Sequence, residues 1–324
     1  MSKLEKPSVL VVGSINMDLV LETSRMPYVG ESLIGCRYSY APGGKGANQA
    51  VALARLGASV TLVGRIGKDQ NGRALAAGLQ REGVDIGFLG EDAESQTGLA
   101  VVLLGGDAKN SILVFPGANM RLTSADLDQV FEARKYDAMV LQLEVPGEIV
   151  IESCRRARQG GIPIVLDAGP AQDFPLEQIP GVDILTPNET EAFALTGIEL
   201  KSTAEAERAA AKLLSRSRAK AVVIKLGEAG ALLQRAGGKC LQFPPQRVAA
   251  VDPTAAGDAF TAAMALRYLE TGDLEGAVVY GNFAGALATT KIGAQSALPT
   301  AAEIEAFRSA SPSAIPRCAM GAYV

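Results

Sequence analysis

The chain has 324 residues, 31 of them Lys or Arg and 35 of them Asp or Glu, so its formal net charge is −4. This mildly acidic balance argues against binding of a nucleic-acid backbone, which needs a basic face, and no apolar run approaches the ~18 residues of a membrane span. The chain contains no histidine, which excludes a Ser-His-Asp triad, a phosphohistidine carrier, an HExxH zinc site and an imidazole general base.

Short apolar runs alternate with amphipathic patterns along most of the chain. The runs lack the polar alternation of a sheet with one solvated face, so they predict strands that are buried on both faces. Such alternation with helices is typical of a doubly wound, mostly parallel sheet. The predicted strands are Val9–Val12, Val60–Val63, Ala138–Leu143, Ile164–Leu166, Ile184–Leu185 and Val222–Ile224, and the predicted helices are Ala47–Leu56, Gly72–Glu82, Ile149–Gln159 and Ala204–Ser215.

Two segments interrupt this alternation with strand-like runs. They are Leu19–Tyr40 and Thr97–Pro116. Inserted into an α/β chain, such runs predict antiparallel hairpins that form a small discontinuous β subdomain, with bounds of about 17–41 and 97–116. Residues 309–324 are expected to form an irregular C-terminal tail.

Polar residues follow two of the predicted strands. Asn16 and Asp18 come after the first strand, and Glu144 comes at the end of the strand Ala138–Leu143. Ligands of open α/β sheets bind at the carboxyl ends of strands, and Asp and Asn side chains suit sugar hydroxyls. From local sequence alone, a polar turn with an Asx hydrogen bond is the better explanation of Asn16 and Asp18.

A glycine-rich segment precedes the first predicted helix. Gly43, Gly44 and Gly46 surround Lys45, so backbone N–H groups at the helix start could meet a polar ligand. The segment is not a Walker A loop, because such a loop would need glycine where the chain has Ser39 and Ser or Thr where it has Gly46. A turn that merely packs a helix on the sheet is the open alternative.

Two later segments also follow predicted strands. Thr186–Glu191 begins a helix, where Asn188 and the two acids suit plain capping of the first turn. Lys225–Gly230 follows the strand Val222–Ile224 and fits a hairpin turn alone. Neither segment indicates a function by itself.

Small residues at 252–258 lead into an apolar helix, Ala259–Leu269. Consecutive amides at Ala256, Gly257 and Asp258 could form an anion-binding nest. A carboxylate beside a bound anion is unusual unless it meets a hydroxyl that is aimed at a phosphate. The simpler alternative is an acidic residue that complements the helix dipole.

Together these motifs resemble the PfkB family of carbohydrate kinases, and within it the ribokinase group. The resemblance extends from about Val9 to about Phe307. It implies a ribokinase-like three-layer α/β/α fold over residues 1–308, with a mostly parallel central sheet and a small discontinuous β-sheet lid. The motifs that carry it, in the family's order, are Gly43–Ala50, Gln142–Glu144, Thr186–Glu191, Asp252–Asp258 and Lys291–Gln295.

The resemblance implies a reaction. ATP would phosphorylate the primary 5-hydroxyl of D-ribose to give ribose 5-phosphate and ADP. Asp258 would be the general base, and Ala255, Ala256 and Gly257 with the Asp258 amide would form the anion hole. Positioning and charge stabilisation do most of the work in phosphoryl transfer, so a carboxylate base suffices without imidazole.

The resemblance also implies a set of residues for each ligand. Sugar hydroxyls would be bound by Asn16, Asp18, Gly44, Lys45, Asn48, Glu144 and Asp258. ATP would be bound by Asn188, Lys225, Gly227, Glu228, Gly230, Gly257 and Asn282. Glu191 would organise Mg²⁺ through water, and an activating K⁺ would be held by Asp252, Thr254, Ala288, Lys291 and Gly293. Ala297 stands where the family usually has a serine ligand, and Ser296 precedes it.

Other properties follow from the resemblance and the composition. The lid is the expected contact of a homodimer. Four cysteines without a CxxC pair, and no visible signal peptide, predict reduced thiols and a cytoplasmic location. The alternatives are a PfkB kinase acting on deoxyribose, a nucleoside, fructose or a keto-deoxy sugar acid, a nucleotide-dependent oxidoreductase, and a sugar sensor without catalysis. The missing GxGxxG argues against the oxidoreductase, and the Gly257–Asp258 pair argues against the sensor.

Overall fold

A computed structural model describes residues 6–106, 110–311 and 317–318 of the chain. Its strands are β1 Ser8–Val12, β2 Asn16–Thr23, β3 Arg37–Gly43, β4 Ser59–Gly67, β5 Leu89–Asp92, β6 Gly98–Gly105, β7 Asn110–Phe115, β8 Ala138–Leu141, β9 Ile164–Leu166, β10 Ile184–Leu185, β11 Ala221–Lys225, β12 Ala231–Arg235, β13 Cys240–Phe243 and β14 Arg317–Cys318. Its α-helices are α1 Lys45–Arg55, α2 Gln70–Arg81, α3 Ser124–Ala133, α4 Gly147–Gln159, α5 Glu189–Thr196, α6 Thr203–Ser217, α7 Ala256–Thr271, α8 Leu274–Ala288 and α9 Ala301–Ala310.

A ten-stranded sheet with the order β14-β13-β12-β11-β10-β9-β8-β1-β4-β5 forms the centre of the molecule. The strands from β11 to β5 pair in parallel, and β12, β13 and β14 add an antiparallel edge. Each predicted strand and each predicted helix is present. The predicted fold class is confirmed.

Helices cover both faces of this sheet and create two apolar cores. Val9 and Val11 pack into a core with α1, α2 and α7–α9, whereas Leu10 and Val12 pack into a core with α3–α6. Successive side chains of a strand point to opposite faces, so both sets must be apolar. This explains why β1 reads as one continuous apolar run.

A second, smaller sheet has four strands in the order β3-β2-β6-β7. The pairs β2/β3 and β6/β7 are antiparallel, as predicted, but the two halves join through a parallel pair, β2/β6, that the sequence did not predict. Asn16 starts β2 only four residues after β1 ends at Val12. The small sheet therefore begins at the carboxyl edge of the large one.

The C-terminal end is described only in part. Of the predicted tail, the structure describes the end of α9, Ser311 and β14, which pairs with β13 in antiparallel register. Residues 312–316 and 319–324 lie outside the described residues. Within residues 6–106, 110–311 and 317–318, no helix has the length and hydropathy needed to cross a membrane.

Two helical glycines differ in what surrounds them, which gives a test of how α1 is seated. A Cβ on Gly46 would lie 2.5 Å from the carbonyl carbon of Gly13 and 2.6 Å from the nitrogen of Ser14. A Cβ on Gly78 in α2 would meet nothing nearer than the end of the Arg81 side chain at 3.9 Å.

We expect Gly46→Ala to lower the free energy of unfolding by roughly 1–3 kcal/mol, because α1 must move away from the backbone after β1. Gly78→Ala should raise it by about 0.5–1 kcal/mol, because alanine loses less backbone entropy in a helix. Urea unfolding of both variants measures this difference. Equal effects would contradict the close packing of α1.

Candidate active site

Polar side chains gather at the carboxyl ends of the parallel strands. Asn16 and Glu144 follow β1 and β8, Asp167 follows β9, and Lys225 ends β11. The strands β1, β8 and β9 are neighbours in the sheet, and only β10 separates β9 from β11. The first turns of α1, α5 and α7 meet the same edge, which is where open α/β sheets bind ligands.

Lys45, the first residue of α1, places its ammonium among buried carboxylates. Its Nζ lies 3.4 Å from Asp167 Oδ2, 3.7 Å from Glu191 Oε1 and 3.8 Å from Asp258 Oδ1. Burial opposes the charge on Lys45, but the carboxylates outweigh burial and raise the pKa of Lys45 well above its usual value. The backbone amide of Lys45 donates separately to Glu144 Oε2 at 3.2 Å.

Asp258 lies in the first turn of α7 and is only 5% exposed. Asn48 Nδ2 donates to its Oδ2 at 2.9 Å, and Gln49 Nε2 donates to its Oδ1 at 3.0 Å. Burial raises the pKa of Asp258 above its ordinary value, with Asp167 adding to the rise and Lys45 and the two amides opposing it. A carboxylate with a raised pKa accepts a proton more readily, which suits a general base.

The side chains next to Asp258 leave polar atoms for a ligand. Asn48 Oδ1 is buried and has no hydrogen-bond partner, and a buried acceptor in that state costs about 1–3 kcal/mol. Asn119 Nδ2 donates to Asn16 Oδ1 at 2.7 Å, so the side-chain nitrogen of Asn16, Nδ2, is left to donate to a ligand. Glu144 also accepts a hydrogen bond from the Ser14 hydroxyl. These groups can bind hydroxyls that both donate and accept.

Asp18 lies on β2 close to the glycine-rich segment. A Cβ on Gly43 would collide with the Asp18 carboxylate, and Gly44 has a φ of 88°, a left-handed value that favours glycine. Burial, together with the negative charges of Glu144 and Asp258, raises the pKa of Asp18 to about 7. The glycines therefore allow the backbone and this carboxylate to approach closely.

A cavity of about 320 Å³ lies beside Asn16 and Glu144. Ser14, Asn16 and Glu144 line its polar side, and Val114 and Pro116 from the small sheet and its exit line another part. The two sheets thus enclose one space between them. This space is the candidate substrate site.

The N-terminus of α7 has an unusual backbone. Ala255 precedes the helix with a φ of 59° and a ψ of 8°, a left-handed conformation that costs a non-glycine residue energy and often marks functional sites. The Ala256 amide donates to Pro253 O at 3.2 Å, whereas the Gly257 and Asp258 amides hold positions that a helix leaves unpaired. Of the predicted anion hole, these last two amides are therefore best placed for an anion.

Asn188 and Glu191 cap α5 with a reciprocal pair of hydrogen bonds. Asn188 Oδ1 accepts from the Glu191 amide at 2.8 Å, and Glu191 Oε2 accepts from the Asn188 amide at 2.7 Å. The capping interpretation is thus confirmed, but the other Glu191 oxygen still faces Lys45. The described residues contain no cluster of three or more His, Cys, Asp or Glu that could hold a metal ion. One buried carboxylate fits Mg²⁺ that is bound mostly by water and phosphates.

The predicted nucleotide residues fall into two groups. A Cβ on Gly230 would collide with the Phe243 carbonyl, and Asn282 Nδ2 donates to Pro244 O at 3.2 Å, so segment 243–245 joins these two positions. Gly227 and Glu228 instead line a separate cavity of about 460 Å³ beside α5 and α6. The Gly230 amide donates to Gly227 O at 3.1 Å, so one turn connects the two groups.

The two predicted cation loops do meet. Asp252 Oδ2 accepts from the Gly293 amide at 2.8 Å, and its Oδ1 accepts from the Thr254 amide at 2.9 Å. Burial works against the charge of Asp252, but these donors outweigh it and lower the pKa of Asp252. The Ala288 carbonyl accepts from the Lys291 amide at 3.4 Å, within the second loop. Carboxylate and carbonyl oxygens around this junction fit a hard monovalent cation.

The expected serine ligand has no counterpart at this junction. Ala297 is buried, and the Ser296 hydroxyl donates to Ile292 O at 2.8 Å, so it is already used within its own loop. Lys291 directs its ammonium to Glu303 at 2.8 Å. Only its backbone is available to the loop junction.

Sequence reasoning missed several residues of the site. Asp167 was assigned no role, although it directly follows the predicted strand Ile164–Leu166 and the carboxyl-edge argument used for Asn16 applies to it. Gln49 lies inside the glycine-rich motif but also received no role. No local signal pointed to Asn119, which is hydrogen-bonded to Asn16 although the two residues are 103 positions apart in the sequence.

Comparisons with known proteins agree with this architecture. The sequence model described as "pfkB family carbohydrate kinase" matches residues 6–301. The ribokinase of Bacillus subtilis is 38% identical over 300 residues, which cover 92% of this chain and 98% of the relative. A deoxyribokinase of Salmonella typhi is 33% identical over 303 residues, which cover 93% of this chain and 98% of the relative.

Solved structures are similar over nearly the whole chain. The structure of Arabidopsis thaliana ribokinase complexed with ribose and ATP has a TM-score of 0.84 and 34% identity, and it covers 93% of this chain and 98% of that one. Phosphofructokinase-2 from Escherichia coli in complex with potassium has a TM-score of 0.77 and 25% identity, with 95% and 99% covered. The ribokinase-like fold with its small-sheet lid is confirmed.

The pKa of Asp18 predicts a pH-dependent stability. The folded state keeps a proton up to about pH 7 that the unfolded chain loses near its ordinary value of 3.8. Stability should therefore fall as pH rises through this window, because the unfolded state binds fewer protons there.

We expect Asp18→Asn to raise the melting temperature by a few degrees at pH 8 and to have a smaller effect at pH 5, because asparagine carries no charge to bury. Thermal unfolding at both pH values measures this. Asp173→Asn in an exposed loop is the control. A melting temperature that is unchanged or lowered at pH 8 would contradict the raised pKa.

Proposed function

Because the chain belongs to the pfkB family of carbohydrate kinases and is therefore a phosphotransferase, we propose that it transfers the γ-phosphoryl group of ATP to the 5-hydroxyl of D-ribose. The products are ribose 5-phosphate and ADP. The observation that carries this proposal is the arrangement around Asp258, which is buried beside Asn48. The orphaned Asn48 Oδ1 supports a hydroxyl ligand beside the base.

In this proposal Asp258 takes the proton of the hydroxyl as the oxygen attacks phosphorus and the bond to the ADP oxygen breaks. Asn48 and Gln49 hold the carboxylate in one orientation through their amide hydrogen bonds. The Gly257 and Asp258 amides, turned by Ala255, stabilise negative charge that develops on the transferring group. Ala256 contributes to the turn that shapes this site.

The remaining sugar contacts are assigned to the polar side of the cavity. Asn16, Asp18, Glu144 and the backbone at Gly44 would bind the other hydroxyls. The backbone amide of Lys45 would hold Glu144 in place through its hydrogen bond. The ammonium of Lys45 would face the phosphate groups. The lid of about 17–41 and 97–116 would exclude water, which otherwise competes as a phosphoryl acceptor.

The nucleotide is assigned to the edge formed by α5, β11 and α8. Its proposed contacts are Asn188, Lys225, Gly227, Glu228, Gly230, Gly257 and Asn282. Bound Mg²⁺ would neutralise phosphate charge, with Glu191 holding it through water. The link from Gly230 to Asn282 through segment 243–245 supports this assignment.

A second acceptor, 2-deoxyribose, has specific support. The Salmonella typhi deoxyribokinase is 33% identical over nearly the whole chain, which is close to the identity with the ribokinases. The two sugars differ by one hydroxyl, and a site built to bind that hydroxyl rejects a sugar that lacks it. Comparison of kcat/KM for the two sugars decides between them.

The proposal includes a homodimer that forms through the small sheet in the cytoplasm. Tyr38, Tyr40, Leu113 and Phe115 of this sheet are exposed, and exposed apolar patches are typical of interaction surfaces. Cys36, Cys154 and Cys240 are free thiols, which suits a reducing compartment.

We expect Asp258→Asn to lower kcat roughly 10²–10⁴-fold with little change in the KM for the sugar, because the variant keeps its shape but cannot accept a proton. An ADP-release assay across ribose, deoxyribose, fructose and nucleosides measures this. Glu270→Gln at the far end of α7 is the control. Turnover close to wild type in Asp258→Asn would overturn the assignment of the base.

Potassium activation is part of the proposal and has its own test. We expect faster turnover in K⁺ than in tetramethylammonium, and we expect Asp252→Asn to lose this difference, because Asp252 joins the two cation loops. Initial rates at matched ionic strength measure this. Equal rates of the wild type in the two salts would refute a potassium site.

A further inference from the structure

Asp167 is fully buried behind the proposed base. Its Oδ1 accepts from Lys225 Nζ at 2.7 Å, its Oδ2 accepts from Gln49 Nε2 at 2.8 Å, and Lys45 Nζ lies 3.4 Å from the same Oδ2. Burial disfavours its charge, but Lys225 and Lys45 outweigh burial and lower the pKa of Asp167. A carboxylate that contacts two ammonium groups and an amide is a fixed negative charge at the centre of the site.

Gln49 connects this charge to the base. Its Nε2 group donates to both Asp167 Oδ2 at 2.8 Å and Asp258 Oδ1 at 3.0 Å. Its Oε1 accepts from Gln142 Nε2 at 2.6 Å. This last bond fixes which end of the amide faces the acids, because the flipped amide would point its oxygen at two carboxylates. Gln142 thus keeps the donors of Gln49 on the acids.

Lys225 extends the arrangement toward the transferred phosphate. Its side chain is 10% exposed, and a Cβ on Gly257 would lie 3.7 Å from its Nζ. The ammonium therefore lies between Asp167 and the amides that begin α7. Its bond to Asp167 holds it there, since an unpaired lysine would lose charge or swing to solvent when buried.

We propose that Asp167 is a positioning residue for phosphoryl transfer: it orients Asp258 through Gln49 and holds the ammonium of Lys225 beside the amides of α7. This inference rests on the proposed role of Asp258 as the base. The side chain of Asp167 is fully buried and its oxygens contact Gln49, Lys225 and Lys45, so it acts through these neighbours rather than on a substrate.

The arrangement makes opposite predictions for two variants. Loss of the negative charge at Asp167 should make Asp258 easier to ionise, whereas loss of the donors of Gln49 should make it harder to ionise. Two other charged groups face Asp258, namely Lys45 from α1 and Asp18 from β2. Farther away, Glu191 on α5 lies next to Lys45, and Lys225 on β11 lies next to Gly257. Neither variant replaces any of these residues, although Asp167→Asn weakens the contact that holds Lys225.

The test is the pH dependence of kcat for Asp167→Asn and Gln49→Leu at saturating sugar and Mg·ATP. We expect kcat of both variants to fall by roughly 100-fold, because small displacements of a reacting group are costly. The acid limb of the profile, where kcat falls as Asp258 becomes protonated, should move to lower pH in Asp167→Asn and to higher pH in Gln49→Leu. The KM for ATP should rise in Asp167→Asn, with the KM for the sugar nearly unchanged, because Lys225 is released.

Asp183→Asn is the matched control. Asp183 is also a buried carboxylate of the large sheet, and it accepts from the Ile164 amide at 2.8 Å and pairs with Lys220 at 2.6 Å, but it lies at the opposite edge. Its variant should lose stability without moving the acid limb. If Asp167→Asn does not fold, the upward shift in Gln49→Leu still tests the link to Asp258, because Gln49 donates to both carboxylates.

Each outcome bears on one claim. Acid limbs that stay in place, or that move in the same direction in both variants, would overturn the positioning role. Ionisation of ATP affects all variants alike and cancels in the comparison. The sugar used is the one that the wild type phosphorylates fastest, so an absence of turnover with every sugar contradicts the proposed function, whereas normal turnover with unmoved limbs contradicts only this inference.

Discussion

A buried cluster of opposite charges determines how this molecule is assembled. Lys45 and Lys225 contribute the ammonium groups, and Asp167, Glu191 and Asp258 contribute the carboxylates. Burying an unpaired charge costs far more than a surface ion pair returns, so these groups must reach one another. They lie on α1, β11, the end of β9, α5 and α7, and these five elements must therefore converge at the carboxyl edge of the large sheet.

The cluster also explains how a chain without histidine can handle a proton. Asp258 is removed from water and lies near Asp167, and both effects raise its pKa, while Lys45 and two amides keep it from rising without limit. Raising the pKa of a carboxylate toward the working pH is the counterpart of the lowered pKa that other enzymes give to a lysine ammonium. The surrounding ammonium groups then prepare the site for a highly charged nucleotide.

The elements of the fold could be predicted because their signal is local. Each continuous apolar run became a strand, since its alternate residues pack into two cores on opposite faces of the sheet. The parallel pairing of β2 with β6 could not be predicted in this way, because the two strands lie far apart in the sequence and local patterns carry no information on such pairings. Only the register Asn16↔Gly98 in the folded chain reveals how the two lid segments join.

Candidate site residues could be proposed where a strand end or a motif marks them, as at Asn16, Glu144 and Asp258, and their roles stay predictions. The position of Asp167 after a strand could have marked it as a candidate, but its contacts could not be predicted, because its partners Gln49 and Lys225 lie 118 and 58 positions away along the chain. Side-chain contacts over such separations leave no periodicity in the sequence.

In the function that we propose, Asp258 activates the primary hydroxyl of a pentose for attack on ATP. Its most direct test is the position of phosphate on the product, read by phosphorus–proton correlation NMR after incubation with ribose and Mg·ATP. We expect phosphorus to couple to the two protons on C5, and we expect one molecule of this product for each molecule of ADP. Coupling to the C1 proton, or release of inorganic phosphate with unchanged ribose, would contradict it.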